Sequence, residues 1–158
     1  MMRPCRPEDL ETVADIADRA WRGIHASYRR ILGDEIFLAM RPRHETSKGD
    51  EVRSSFERSP DWCWVCEKEG RVVGFITCTM DPEKRFGTIG NNAVDPSCPL
   101  KGIGQQMYAF VLEQFRRNGM RYATVGTGLD EGHARARRAY ERAGFSIRLD
   151  KTQYYMKL

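Results

Sequence analysis

Two glycines one residue apart, Gly102 and Gly104, stand where a strand-like run hands over to a helix-like one, in "NNAVDPSCPLKGIGQQMYAFVLEQFRRNGM". Downstream of them Ile103, Met107, Phe110, Val111 and Phe115 recur at helical spacing. Arg116 and Arg117 then bring cations to the carbonyl end, and Gly119 follows the last turn, so the spacing predicts a helix that begins at the glycines. The first turn of any helix leaves backbone N–H groups unpaired, and the aligned peptide dipoles place about half a positive charge there. Without a Cβ at 102 and 104 a phosphate can approach several amides at once, and Lys101 adds a full charge beside them. The plainer reading is a tight strand-to-helix turn with no ligand. The pattern is not that of nucleoside triphosphatases, which need Gly-Lys-Ser/Thr, nor the dinucleotide fingerprint, which needs a third glycine where Met107 stands. A phosphate ligand of another type is implied.

The flanking sequence sets the architecture in which that turn must sit. Met1–Arg6 reads as a short strand, followed by an acidic first turn and by Leu10, Val13, Ile16, Ala17 and Ala20 at spacings of three and four, a helix with one buried face. Further helical regions are expected within Gly33–Met40 and Glu45–Arg58, with Arg41-Pro42 between them. "WCWVCEKEGRVVGFITCTM" places β-branched and aromatic residues on both sides of Lys68-Glu69-Gly70, a hairpin signature. "RFGTIGNNAVDP", "RYATVGTG", "GFSIRL" and "TQYYMKL" add further strands. About seven strands, antiparallel at first and joined later by helical crossovers, place the chain in the α+β (mixed α/β) class.

At 158 residues the chain suits one domain spanning 1–158, with no second domain expected. Its 41% hydrophobic and 30% charged fractions are those of an ordinary globular protein. No apolar run approaches the roughly 20 residues of a membrane span, and "MMRPCRPEDL" lacks the apolar middle of a signal peptide, so no membrane partner and a cytoplasmic address are expected. Five irregularly spaced cysteines argue for reduced thiols. Cys63 and Cys66 form a CxxC on a strand, where residues three apart face opposite sides of the sheet, so no metal is expected. The formal net charge of +4 is a mild bias toward anions; without a dense basic block no nucleic-acid partner is expected.

The glycine turn and the segment "HARARRAYERAGF" together resemble the GCN5-related N-acetyltransferases (GNAT family). In that family a pyrophosphate loop with the pattern Gln/Arg-x-x-Gly-x-Gly/Ala follows the fourth strand, and Pro99-Leu100-Lys101-Gly102-Ile103-Gly104 stands in its place. The last family helix, Asn-x-x-Ala-x-x-x-Tyr closed by Gly-Phe, is matched by His133 through Phe145. There are two departures. Pro99 replaces the first Gln/Arg, which removes a side-chain donor and leaves the amide cradle, and His133 takes the Asn position. The resemblance covers essentially the whole chain in element order. It implies the GNAT fold, about seven mostly antiparallel strands with about four helices, and a cosubstrate, acetyl-CoA or another acyl-CoA.

The resemblance assigns the pyrophosphate to the amides of Lys101, Gly102, Ile103, Gly104, Gln105 and Gln106, and the pantetheine to the backbone of Ala93, Val94 and Asp95. A backbone N–H near Val94 then stabilises an oxyanion, and His133 hydrogen-bonds the cosubstrate. Tyr140 shares a helix face with Ala136, Ala139 and Ala143, which by spacing alone is a core position; by resemblance it contacts the CoA sulfur and is the catalytic acid. Full proton transfer from a tyrosine (about 10) to a thiolate (about 8.5) is uphill by about 2 kcal/mol, which favours hydrogen-bond donation over transfer. Asn91 and Asn92 flank the reaction gap or serve a strand bulge.

The acceptor amine must lose a proton before attack, and His25, Asp34, Glu35 and His44 are the candidate bases, each of which reads first as a surface residue. Trp21, His25 and Tyr28 form a stripe that lines a pocket or edges the core. Cys98 is read as an incidental thiol. Arg135, Arg137, Arg138 and Arg142 are a solvated face of the last helix, unless one of them meets the adenosine 3′-phosphate. The expectation is an N-acetyltransferase acting by direct attack of a small-molecule or protein amine on the thioester, with a homodimer through the aromatic-rich last strand compatible. The rivals are a CoA-binding sensor without catalysis and a basic nucleic-acid-binding module.

Overall fold

The computed structural model describes residues 1–158. Strand β1 (Met2–Pro4) is followed by the long helix α1 (Leu10–Met40), helix α2 (Ser47–Arg58) and the meander β2 (Cys63–Lys68), β3 (Arg71–Asp81) and β4 (Phe86–Val94). Helix α3 (Ile103–Arg117) then crosses over to β5 (Tyr122–Val125), and α4 (Ala134–Arg142) follows. The five strands lie in chain order in one sheet, antiparallel from β1 to β4 and parallel between β4 and β5. Sequential strands pair as neighbours, and α3 supplies the crossover that the parallel pairing of β4 with β5 requires.

Local chemistry explains most element ends. Gly33, at φ 74° and ψ 163°, interrupts α1, so the helical region expected over Gly33–Met40 is the segment beyond this break. Glu69 and Gly70 both have positive φ, the two-residue turn whose twist matches a hairpin, and Lys68 pairs with Arg71 across it.

Strand alternation divides the core between the two sheet faces. Val65 and Phe75 join Val13, Ile16, Ala17 and Val52 under α1 and α2. Trp64, Cys66, Ile76, Cys78 and Ile89 join Ile103, Met107, Val111, Phe115 and Tyr140 under α3 and α4. Each such large side chain, withdrawn from water, contributes about 1.5–3 kcal/mol. Cys63 lies in the first cluster and Cys66 in the second, on opposite faces of the sheet.

The strands expected over "GFSIRL" and "TQYYMKL" are not formed. Beyond Gly144 the chain has no regular secondary structure, and every residue from Ser146 to Leu158 is exposed. The alternation of Phe145, Ile147 and Leu149 marks a segment able to be a strand, but a strand exists only where a partner takes its N–H and C=O groups, and β5 offers four residues paired solely with β4. The sheet therefore has five strands rather than about seven.

The sheet splits where β4 outruns β5. Phe86–Ile89 pair with Tyr122–Val125, and β4 then continues to Val94 with that edge free. At the split, Gly90 and Asn91 together face the single residue Thr77 of β3, a bulge that bends β4 away from β5. A cleft opens at this place.

Candidate functional site

The cleft has a volume of about 1240 Å³ and runs between the start of α3, the face of α4 and the inner side of α1. On the α3 side Gly102 is the residue before the first helical turn, held at φ 83°, where a side chain would be strained. Gln106 N–H donates to Gly102 O at 3.0 Å, the first bond of the helix, so the amides of Ile103, Gly104 and Gln105 precede it and lack helical partners. A Cβ added at Gly104 would make only ordinary contacts, 3.8 Å to the Tyr108 ring and 3.9 Å to Val94. Packing therefore does not require glycine at 104. What its absence of a side chain preserves is access from the cleft to the helix end, which fits the amide cradle expected of a phosphate site.

Of the residues expected on the cosubstrate, Ala93, Val94, Lys101, Gly102, Ile103, Gly104, Gln105, His133 and Tyr140 line the cleft. Asp95 and Gln106 do not. The Asp95 N–H donates to Val73 O at 2.9 Å, and its carboxylate is held by Arg19 at 2.7 Å and by Ser97, which keep it well below the usual carboxylate range. Gln106 has its N–H in the helix and its side chain exposed. The Gln105 side chain is also engaged, donating to Ala139 O at 2.9 Å and so tying α3 to α4.

Tyr140 is 8% exposed and sits in a polar chain buried between β4, α3 and α4. Asn92 Nδ2 donates to Tyr140 Oη at 3.2 Å, and Tyr108 Oη donates to Asn92 Oδ1 at 2.8 Å. The Tyr140 hydroxyl thus accepts within the protein and keeps its own hydrogen for the cleft. Burial raises its pKa above the ordinary tyrosine value, against the bond from Asn92, so it stays a donor. Asn92 belongs to this chain, whereas Asn91 lies in the bulge, its carbonyl accepting from Thr77 Oγ1 at 3.2 Å. Sequence reasoning missed Tyr108; the available signal was its position one helical turn beyond Gly104.

His133 meets the cleft through an arrangement of its own. Its Nδ1 lies 2.5 Å from Asp130 Oδ1, and Asp130 also accepts from Ser27 Oγ at 2.7 Å and from Gly132 N–H at 3.0 Å. Burial pushes the Asp130 carboxyl up, but the bonds from Ser27 and His133 outweigh it and hold it below the ordinary range. Beside an ionised carboxylate Nδ1 is the donor, which leaves Nε2 as the acceptor of the neutral ring. Tyr28 of α1 packs against this imidazole with ring centroids 5.5 Å apart.

The four candidate bases separate. His25 is 6% exposed and lines the cleft, but burial lowers its pKa to about 4 and its Nε2 has no partner. His44 packs on Phe37 in a separate recess. Asp34 is paired with Arg29 at 2.6 Å on the surface, and Glu35 is paired with Lys157. Trp21 and Tyr28 line the cleft as the stripe suggested, and Cys98 lines it as well. Among the arginines of α4, Arg135 and Arg142 line the cleft, while Arg137 donates to the carbonyls of Gly128 and Asp130 at 2.7 and 2.8 Å and pins the loop that holds Asp130.

Residues 16–145 match the model of the acetyltransferase (GNAT) family. An S-(2-succino)cysteine N-acetyltransferase of Bacillus subtilis (strain 168) is 32% identical over 88 residues, a match spanning 52% of this chain and about half, 53%, of the relative. Among solved structures, the PaiA N-acetyltransferase of Thermoplasma acidophilum in complex with coenzyme A superposes with a TM-score of 0.71 at 16% identity, over 94% of this chain and 90% of that one. YncA of Salmonella typhimurium, solved with acetyl-CoA, superposes with a TM-score of 0.67 at 18% identity, over 94% and 80%.

Proposed function

The chain belongs to the acetyltransferase (GNAT) family, and from that premise we propose that it transfers an acetyl group from acetyl-CoA to an amine by direct attack within a ternary complex. The observation that carries this reading is the juxtaposition, in one cleft, of an open helix N-terminus at Gly102–Gly104 and the buried donor Tyr140 at the split between β4 and β5. The residues fit the cosubstrate at both ends. The amides of Ile103, Gly104 and Gln105, with Lys101, suit the pyrophosphate. The free edge of β4 at Ala93 and Val94 can pair with the pantetheine amides as an added strand would. Exposed Arg135 and Arg142 are the cations within reach of a 3′-phosphate.

In this mechanism the chain supplies charge stabilisation and a proton path. A backbone N–H near Val94 donates to the thioester oxygen as it becomes an oxyanion. Tyr140 Oη donates to the sulfur as negative charge develops on it, and the bond from Asn92 fixes the direction of that donation. With its pKa raised, full transfer of the Tyr140 proton is more uphill than for an ordinary tyrosine, so it acts as a hydrogen-bond donor. The proton released by the amine is taken by Nε2 of His133, whose tautomer Asp130 sets; His25, with its pKa near 4, is too weak a base at neutral pH. A homodimer through the exposed Ile147, Leu149, Tyr154 and Met156 belongs to the same reading.

Calorimetric titration of the protein with acetyl-CoA, with the analogue lacking the 3′-phosphate and with ATP tests this function. Saturable binding that ranks acetyl-CoA first is expected, and equal or absent binding of all three overturns it.

A further inference from the structure

The wall of the cleft opposite α3 has a charge pattern that the chemistry of acetyl transfer alone does not require. No residue lining the cleft is Asp or Glu, although the chain has 22 of them. Three cations reach it from α2 and the turn before it: Arg41, Lys48 and Arg58. Arg41 and Arg58 make no ion pair with any carboxylate in the protein. The Arg41 guanidinium stands over the Tyr28 ring at 5.8 Å, and Arg58 has a 3.5 Å contact with Ser55 Oγ. Lys48 stands over the Trp21 ring at 5.2 Å and is paired with Glu51 at 2.6 Å. Beside them the buried Nε2 of His25 has no partner. Elsewhere the surface pairs its cations freely: Arg29, Arg53, Arg117 and Arg148 all hold carboxylates.

On this basis, and resting on the acetyl-transfer reading above, we infer that the acceptor is a small amine that itself carries a carboxylate, an amino-acid-type substrate, with its carboxylate received by the unpaired Arg41 guanidinium over Tyr28, while Lys48 and Arg58 extend the positive wall along α2. Guanidinium groups bind carboxylates through two parallel N–H donations, and the Tyr28 face under Arg41 holds that cation in place without neutralising it. The same wall also serves the chemistry. A field of fixed positive charge disfavours the ammonium form of the incoming amine, so more of it arrives neutral and nucleophilic. Polycationic acceptors such as polyamines find no carboxylate in the cleft to receive their remaining charges.

The test is release of CoA from acetyl-CoA, on protein whose acetyl-CoA binding has been measured separately, with amines in matched pairs: neutral-side-chain and dicarboxylic amino acids, each beside its methyl ester, with spermidine as the polycationic arm. The free acids are expected to turn over with kcat/KM at least about 10-fold above their esters. Arg41→Gln is expected to raise the free-acid KM by about 10- to 100-fold, the range of a lost charge-assisted hydrogen bond, and Arg58→Gln by less than Arg41→Gln, while both leave acetyl-CoA affinity and the ester KM in place. Esters equal to acids, turnover confined to spermidine, or no carboxylated amine turned over despite acetyl-CoA binding would overturn the inference and leave cosubstrate binding standing. Absence of acetyl-CoA binding would instead remove the reading beneath it.

Discussion

The two walls of the cleft are made of different material. The α3 wall is backbone: consecutive amides at a helix start, opened by Gly102 and Gly104 and independent of any side chain for their direction. The α1–α2 wall is side chain: Trp21, His25, Tyr28, Arg41, Lys48 and Arg58 come from two helices and the turn between them, and each is aimed by its own packing. A site made of backbone is specified by a few adjacent residues. A site made of side chains is specified by everything that holds those helices in place. The first can serve one invariant ligand, and the second can be retuned for another acceptor without disturbing the fold.

Substitution should therefore damage the α3 wall only when something is put into it. The largest effect is expected for Gly104→Asp, which brings a carboxylate to the helix N-terminus. Acetyl-CoA affinity should fall by about 100-fold, or about 2.7 kcal/mol, while Gly104→Ala, whose Cβ has room beside Tyr108 and Val94, stays within about 10-fold. Calorimetry reads both, with melting temperature as the control for folding. Unchanged affinity in Gly104→Asp would break the comparison at its root.

Tyr140→Phe comes next and touches neither wall's binding chemistry. Losing one donor to a developing charge is expected to lower kcat by about 10- to 100-fold with acetyl-CoA affinity within about twofold. Because burial raises its pKa, Tyr140 remains protonated through the ordinary tyrosine range, so the wild-type kcat profile should show no loss from this group below about pH 10. Equal turnover of the two proteins would remove Tyr140 from the mechanism.

The smallest expected effect sharpens the α1 side. The His25 pKa is near 4 in the folded protein and about 6.5 when unfolded, so between these values the unfolded chain binds more protons. Stability is then full above about pH 6.5 and falls as pH drops toward 4. His25→Gln should flatten that slope in denaturant titrations taken at pH 7, 6 and 5. A slope of the same size in the variant would show that His25 does not carry it.

Legibility followed the same division. The helix at Gly102, the hairpin turn at Glu69-Gly70 and the amphipathic start of α1 were readable because a few neighbouring residues state each of them. Asp95 and Gln106, named with the cosubstrate contacts, lie outside the cleft lining because a motif names positions and not partners: Asp95 is taken by Arg19, distant in sequence, and Gln106 N–H by its own helix. The final strands failed for a related reason, since alternation at Phe145, Ile147 and Leu149 describes a face without supplying the neighbour that would pair with it.

By itself, then, the sequence determined the mixed α+β class, the helix start at the glycine turn with its unpaired amides and the helix face that bears Tyr140, all of which are properties of short-range spacing and backbone chemistry. The tertiary structure alone decided that β4 and β5 part at Ile89, that Asn92 links Tyr108 to Tyr140, that Ser27 and His133 meet on Asp130, and that Arg41, Lys48 and Arg58 face the cleft with no carboxylate lining it. These are contacts between residues far apart in the chain. Their free energies depend on burial and on the company each charge keeps, neither of which local spacing can express.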